Sequence, residues 1–107
     1  MEPDSLVELA DDAAAAGEFE TAYHLLMAAL HLADHRGDQE AAMRVGAAGR
    51  RLGAAVEAVA PPHRLSRAEA KRRGHTALFD QLDVHAEAVR LRLESAAELG
   101  KGPRARA

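Results

Sequence analysis

The residues best placed for chemistry in this chain are the histidines, because Glu20, His24, Met27, His31 and His35 recur along a single helical face. Side chains four apart on a helix lie one above the other, so His31 and His35 could grip one metal ion between them. Two imidazoles make only half a site, and neither a His-Glu-x-x-His pattern nor a four-ligand cluster accompanies them. The expectation is therefore no metal and no cofactor, with a histidine-rich metal-binding bundle as an alternative reading. His75 and His85 read as partly buried or surface residues. There is no cysteine, which removes thiolate nucleophiles, thiolate ligands and disulfides. Asp80 with Asp83, and Glu94 with Glu98, read as solvated helix positions, since paired carboxylates without a pocket make no acid–base site. Ser66 is explained as a helix cap, and no glycine-rich phosphate loop or nucleophile elbow is present. Catalysis is not expected.

A second constellation is basic. Arg64, Arg67, Lys71, Arg72 and Arg73 cluster against Glu69 alone, a composition that suits phosphates. Against nucleic acid stand the net charge of −3, an aromatic content of 3% and an acidic first third, because single strands are held by stacking on rings within a positive field. Positive charge in the first turns of a helix also opposes the macrodipole, so partner acids are expected nearby, the N-terminal acids among them. Residues 1–35 hold eight acids and no Lys or Arg, a charge of −8, while residues 36–107 carry +5. Such a split either draws the two parts together within one fold or presents opposite faces to partners and to head-to-tail assembly.

The elements that must position these groups are all helical. With 107 residues, 48% of them hydrophobic, the chain fits one ordinary domain. Few aromatics and many alanines mean a core of Leu, Val and Ala between closely approaching helices. Ser5 and Glu8 have capping-box spacing, which starts a helix over about 5–16 with Leu6, Leu9, Ala10 and Ala13 inward and Gly17 at its end. A second helix over 18–36 carries Phe19, Ala22, Leu26, Ala29, Leu30 and Ala33 on one stripe, and so short a connection makes an antiparallel hairpin. Asp38 caps a third helix over 38–60, with Val45, Ala48, Leu52, Val56 and Val59 on one side until Pro61-Pro62 stops it. Beside that stripe run Ala42, Gly46, Gly49 and Gly53, whose small size admits either a neighbouring backbone or a ligand. Ser66 and Glu69 form another capping box, with Leu65 placed to staple onto Ala70. A fourth helix follows over 66–99, with Leu78, Leu82, Ala86, Val89, Leu93 and Ala97 on its stripe and Gly74 as a kink or a break. The prediction is an all-α, four-helix domain over 1–99 with a disordered basic tail over 100–107.

Residues 3–36 resemble one tetratricopeptide repeat, a 34-residue helix hairpin. Leu6, Leu9, Ala10 and Ala13 fall at its first-helix packing positions, Gly17-Glu18-Phe19 resembles its Gly-Asp-Tyr turn, and Ala22, Leu26, Ala29, Leu30 and Leu32 resemble its second-helix signature. The large aromatic usual near the start is Leu6 here, and Asp34 stands where the family ends on Pro. After Asp38 the likeness thins to Val45-Gly46. The resemblance implies a binding scaffold whose first helices line a concave face. By position that face holds Asp4, Val7 and Asp11 from the first helix and Met43, Ala47, Arg50 and Arg51 from the third. Family members that clamp a C-terminal carboxylate use basic or amide side chains, and Val7 and Asp11 stand at two of those positions, so that ligand is not expected.

The expected role is thus a non-enzymatic adaptor or regulatory module binding another protein or a peptide. Self-association is the competitor, through a homodimer interface on the last helix drawn from Leu78, Phe79, Leu82, Val89 and Leu93. The acidic start carries no secretory pattern. The longest stretch free of Asp, Glu, Lys and Arg, Thr21 to Ala33, is shorter than the roughly 20 residues of a membrane span. A cytoplasmic protein is expected.

Overall fold

The computed structural model describes residues 1–106, with side chains as far as Gly100. Among them lie five helices and no strand: α1 Pro3–Ala15, α2 Phe19–Arg36, α3 Gln39–Val59, α4 Arg67–Arg73 and α5 Leu78–Arg106. The chain is all-α, as its periodicity predicts. Of the tail expected over 100–107, the structure describes Gly100 and, as backbone alone, residues 101–106 within α5.

Helix ends follow local chemistry, with two departures from expectation. α1 begins two residues before Ser5, because Pro3 takes the N1 position, where its missing N–H costs nothing and its fixed φ is already helical. Glu2 is the N-cap residue without a side-chain cap bond, so the Ser5–Glu8 box is not used. Asp38 caps α3 as expected, its Oδ1 accepting the Ala41 N–H at 3.0 Å. Ser66 caps α4 by accepting the Glu69 N–H at 3.0 Å and donates its own hydroxyl to the Pro61 carbonyl at 2.6 Å. The reciprocal half of that box is absent, because the Ser66 N–H donates to the His63 carbonyl at 2.9 Å and the Glu69 carboxylate is held by Arg72 and Arg73. Gly74, at φ +80°, ends α4 in the left-handed region. The last helical stretch is therefore two helices, divided by a short connection at residues 74–77.

α1 and α2 pack as one antiparallel hairpin, and α3 and α5 as a second, with α4 in the connection between them. The hairpins stack so that α1 lies beside α3, while α2 packs on α3 and touches α5. The α3–α5 seam is where the small residues act. A Cβ on Gly46 would stand 3.3 Å from Ala86 Cβ, one on Gly53 3.1 Å from Phe79 Cβ, and one on Gly49 would collide with Leu82. The glycines thus admit a neighbouring helix, the first of the two readings their spacing allowed.

The core joins both hairpins through Leu26, Leu30, Val45, Val56, Phe79 and Leu82, all essentially inaccessible. Tyr23 meets Phe79 edge to face, with ring centroids 5.9 Å apart. Three residues assigned to buried stripes lie outside: Leu9 is 46% exposed, Val59 77%, and Ala97 is exposed as well. Each sits where its helix has no neighbour, Leu9 on the flank of α1, Val59 at the last turn of α3 and Ala97 in the outer part of α5. The dimer surface assigned to the last helix is also corrected. Phe79, Leu82 and Val89 are buried and Leu78 and Leu93 half-buried against this chain's own core, because α3 occupies that face.

Candidate functional site

The seven residues expected on a concave face divide between two flanks of α3. Successive exposed positions of α3, among them Met43, Arg44, Ala47, Arg50 and Arg51, form one solvent-facing strip, with α1 on one side and α5 on the other. Asp4, Val7, Ala47 and Arg51 line a groove of about 290 Å³ between α1 and α3, together with Glu8 and Arg44. Asp11 lies at the mouth of a second recess of about 320 Å³ farther along the same seam, walled by Ala14, Phe19, Leu52, Ala55 and Val59. Met43 and Arg50 belong instead to a small hollow against α5, where Arg50 donates to Asp83 Oδ1 at 2.6 Å.

The groove is framed by two inter-helix ion pairs. Arg44 Nε donates to Asp4 Oδ1 at 2.8 Å, and Arg51 Nη2 donates to both oxygens of Asp11, at 2.8 and 3.0 Å. The bond to Asp4 pushes the Arg44 guanidinium above its ordinary pKa. Arg44 and Arg51 are seven apart on α3, as are Asp4 and Asp11 on α1, so each pair repeats after two helical turns and one face of each helix meets the other. Between the pairs the floor is small and apolar, with half-buried Val7 facing exposed Ala47. Periodicity alone could not supply Arg44 or Glu8, because which flank of α1 meets which flank of α3 depends on the angle between the helices.

No protein-family model, curated protein or solved structure matches the chain. The geometry of the site therefore stands by itself.

Elsewhere the constellations that could do chemistry are spread over the surface or engaged. His24, His31 and His35 are exposed along α2, and Glu20 at the start of their stripe is bound by Arg64 at 2.6 Å, which lowers its pKa. Among the described residues no three His, Cys, Asp or Glu side chains converge on a point that would hold a metal ion. In the basic cluster, Arg67 pairs with Asp80 at 2.7 Å, Arg72 and Arg73 share Glu69, and Arg64 reaches the N-terminal acid Glu20. The hydrogen bond from Arg72 holds the Glu69 carboxyl at about 2, well below its usual value of 4.5. Asp80 and Asp83, read as solvated helix positions, in fact accept inter-element bonds from Arg67 and Arg50. No helix among the described residues is long and apolar enough to cross a membrane.

Proposed function

We propose that this chain is a non-enzymatic protein–protein interaction module, an adaptor or regulatory subunit, which holds a peptide or partner helix in the groove between α1 and α3. The observation that carries this reading is the groove itself: a small apolar floor at Val7 and Ala47, framed by the Asp4–Arg44 and Asp11–Arg51 pairs and leading to the recess beside Phe19 and Leu52. Such a surface offers side-chain pockets between charged rims that fix orientation, as interfaces for extended or helical peptides do. Its ion pairs bridge neighbouring helices, so the rims are held in place before a ligand arrives.

The packing of the two hairpins supports a tetratricopeptide-like reading. α1 lies beside α3, and α2 packs against both helices of the second hairpin, the arrangement that stacked repeats use to expose their first helices on one face. On this reading α5 is the second helix of a degenerate second repeat, with Pro61-Pro62 and α4 interrupting its connection.

A displayed peptide library, selected on wild type and followed by titration calorimetry, tests the proposal. Enriched peptides are expected to bind wild type and a Met43→Glu variant alike, and to bind an Ala47→Glu variant at least about tenfold more weakly, roughly 1.4 kcal/mol. Equal binding by Ala47→Glu, with its helicity unchanged, would remove the groove from consideration.

A further inference from the structure

α5 is apolar on two opposite faces, and only one of them is covered. Phe79, Leu82, Ala86 and Val89 face the core. At 100° per residue, Val84, Ala88, Leu91 and Ser95 form a second stripe on the opposite side. Val84 is 70% exposed and Leu91 47%, while Ala88 and Ser95 are also exposed. Beside them a hollow of about 480 Å³ opens between α5 and Arg50. Every residue from Glu94 to Gly100 is exposed too. Isolated helices are marginal in water, and one carrying apolar residues on both sides is normally buried on both.

We propose that a second copy of this chain covers this stripe, with the two α5 helices side by side and parallel about a two-fold axis. The charges beside the stripe select both occupant and direction. The stripe has the alternating four-three spacing of a coiled-coil seam. One flank carries the acids Asp80, Glu87 and Glu94, and the other carries His85 and Arg92. In a parallel pair the flanking residues meet five positions apart, so Asp80 faces the second copy's His85 and Glu87 faces the second copy's Arg92. An antiparallel pair would bring acid flank against acid flank. Asp80, Glu87 and Arg92 already pair within the chain, with Arg67 at 2.7 Å, Arg90 at 2.6 Å and Asp34 at 2.6 Å, yet all three remain exposed enough to share a further partner. The surface lies apart from the α1–α3 groove, so the two proposals stand or fall separately.

Sedimentation equilibrium over a range of concentrations reads the mass directly. A reversible monomer–dimer equilibrium is expected for wild type. A Leu91→Glu variant, altered only on the solvent side of α5, is expected to keep the 11.4 kDa mass of one chain with an unchanged circular dichroism spectrum. The chain contains no cysteine, so single substitutions report direction cleanly. Ala88→Cys and Ser95→Cys should each give a disulfide-linked dimer on mild oxidation, because in a parallel pair each seam position meets itself, whereas Ala28→Cys on exposed α2 should not. Wild type remaining one chain at every concentration, or Leu91→Glu dimerising as wild type does, would overturn the proposal. Cross-linking through Ala88→Cys without Ser95→Cys would overturn the parallel arrangement.

Discussion

Glu69 shows how one side chain can be legible in type and misread in role. Its place three residues after Ser66 predicts a capping box, and Ser66 does cap α4. Its carboxylate turns instead to Arg72 and Arg73, one turn along the same helix, while the Ser66 N–H that the box would use donates to the His63 carbonyl at 2.9 Å. The consequence is a dependence on pH. A carboxyl whose folded pKa of about 2 lies below its ordinary 4.5 contributes its full stabilisation above the higher value and loses it as pH falls toward the lower. Glu20 and Glu87, lowered by hydrogen bonds from Arg64 and Arg90, act in the same direction. The urea midpoint is therefore expected to fall as pH is lowered through the carboxylate range, and a Glu69→Gln variant should show a shallower fall from a lower starting point. A midpoint independent of pH across that range would mean that these pairs contribute nothing to folding.

Among the elements, the α3–α5 seam decides the architecture. Gly46, Gly49 and Gly53 recur every three or four residues, a sequence feature that costs helix propensity and is repaid by close approach. Which helix approaches is a tertiary matter, settled by Leu82, Phe79 and Ala86 facing the glycines. Gly49→Val is expected to destabilise the protein by about 1–3 kcal/mol, the usual result of overpacking a closed seam, measured by urea unfolding. An unchanged midpoint would show that α5 can slide without cost. The division of the last helical stretch belongs to this scale too. Gly74 takes φ +80°, and Ala77 and Phe79 then become buried, so α5 leaves the line of α4 to lie along α3.

For the molecule as a whole, the charge split of the sequence finds its first use inside the fold. Five of the eight N-terminal acids bind arginines from later in the chain: Glu2 to Arg36, Asp4 to Arg44, Asp11 to Arg51, Glu20 to Arg64 and Asp34 to Arg92. These pairs are largely exposed, so each contributes little by itself and is screened by salt. Three of them join the hairpins directly, two from α1 to α3 and one from α2 to α5, and together they help set how the second hairpin sits on the first. Raising NaCl from low to near-molar concentration is expected to remove about 1–2 kcal/mol of stability, read by urea denaturation because guanidinium would itself screen. A midpoint that holds steady or rises with salt would leave packing alone to orient the hairpins.

Helical character, most helix ends and most buried faces are legible in the amino-acid order, because caps, prolines, glycines and apolar spacing act within a few residues. The imbalance of −8 against +5 is legible there too, and it left open whether acids and bases meet within the fold or across an interface. Which side chains meet depends on how the helices pack. The crossing of α1 and α3 sets Arg44, not Arg50, on the groove, and the burial of Phe79, Leu82 and Val89 leaves Val84 and Leu91 as the outward face of α5. Neither fact is local. A helix with apolar residues on two sides carries no mark of which side folding will cover until its neighbour is in place.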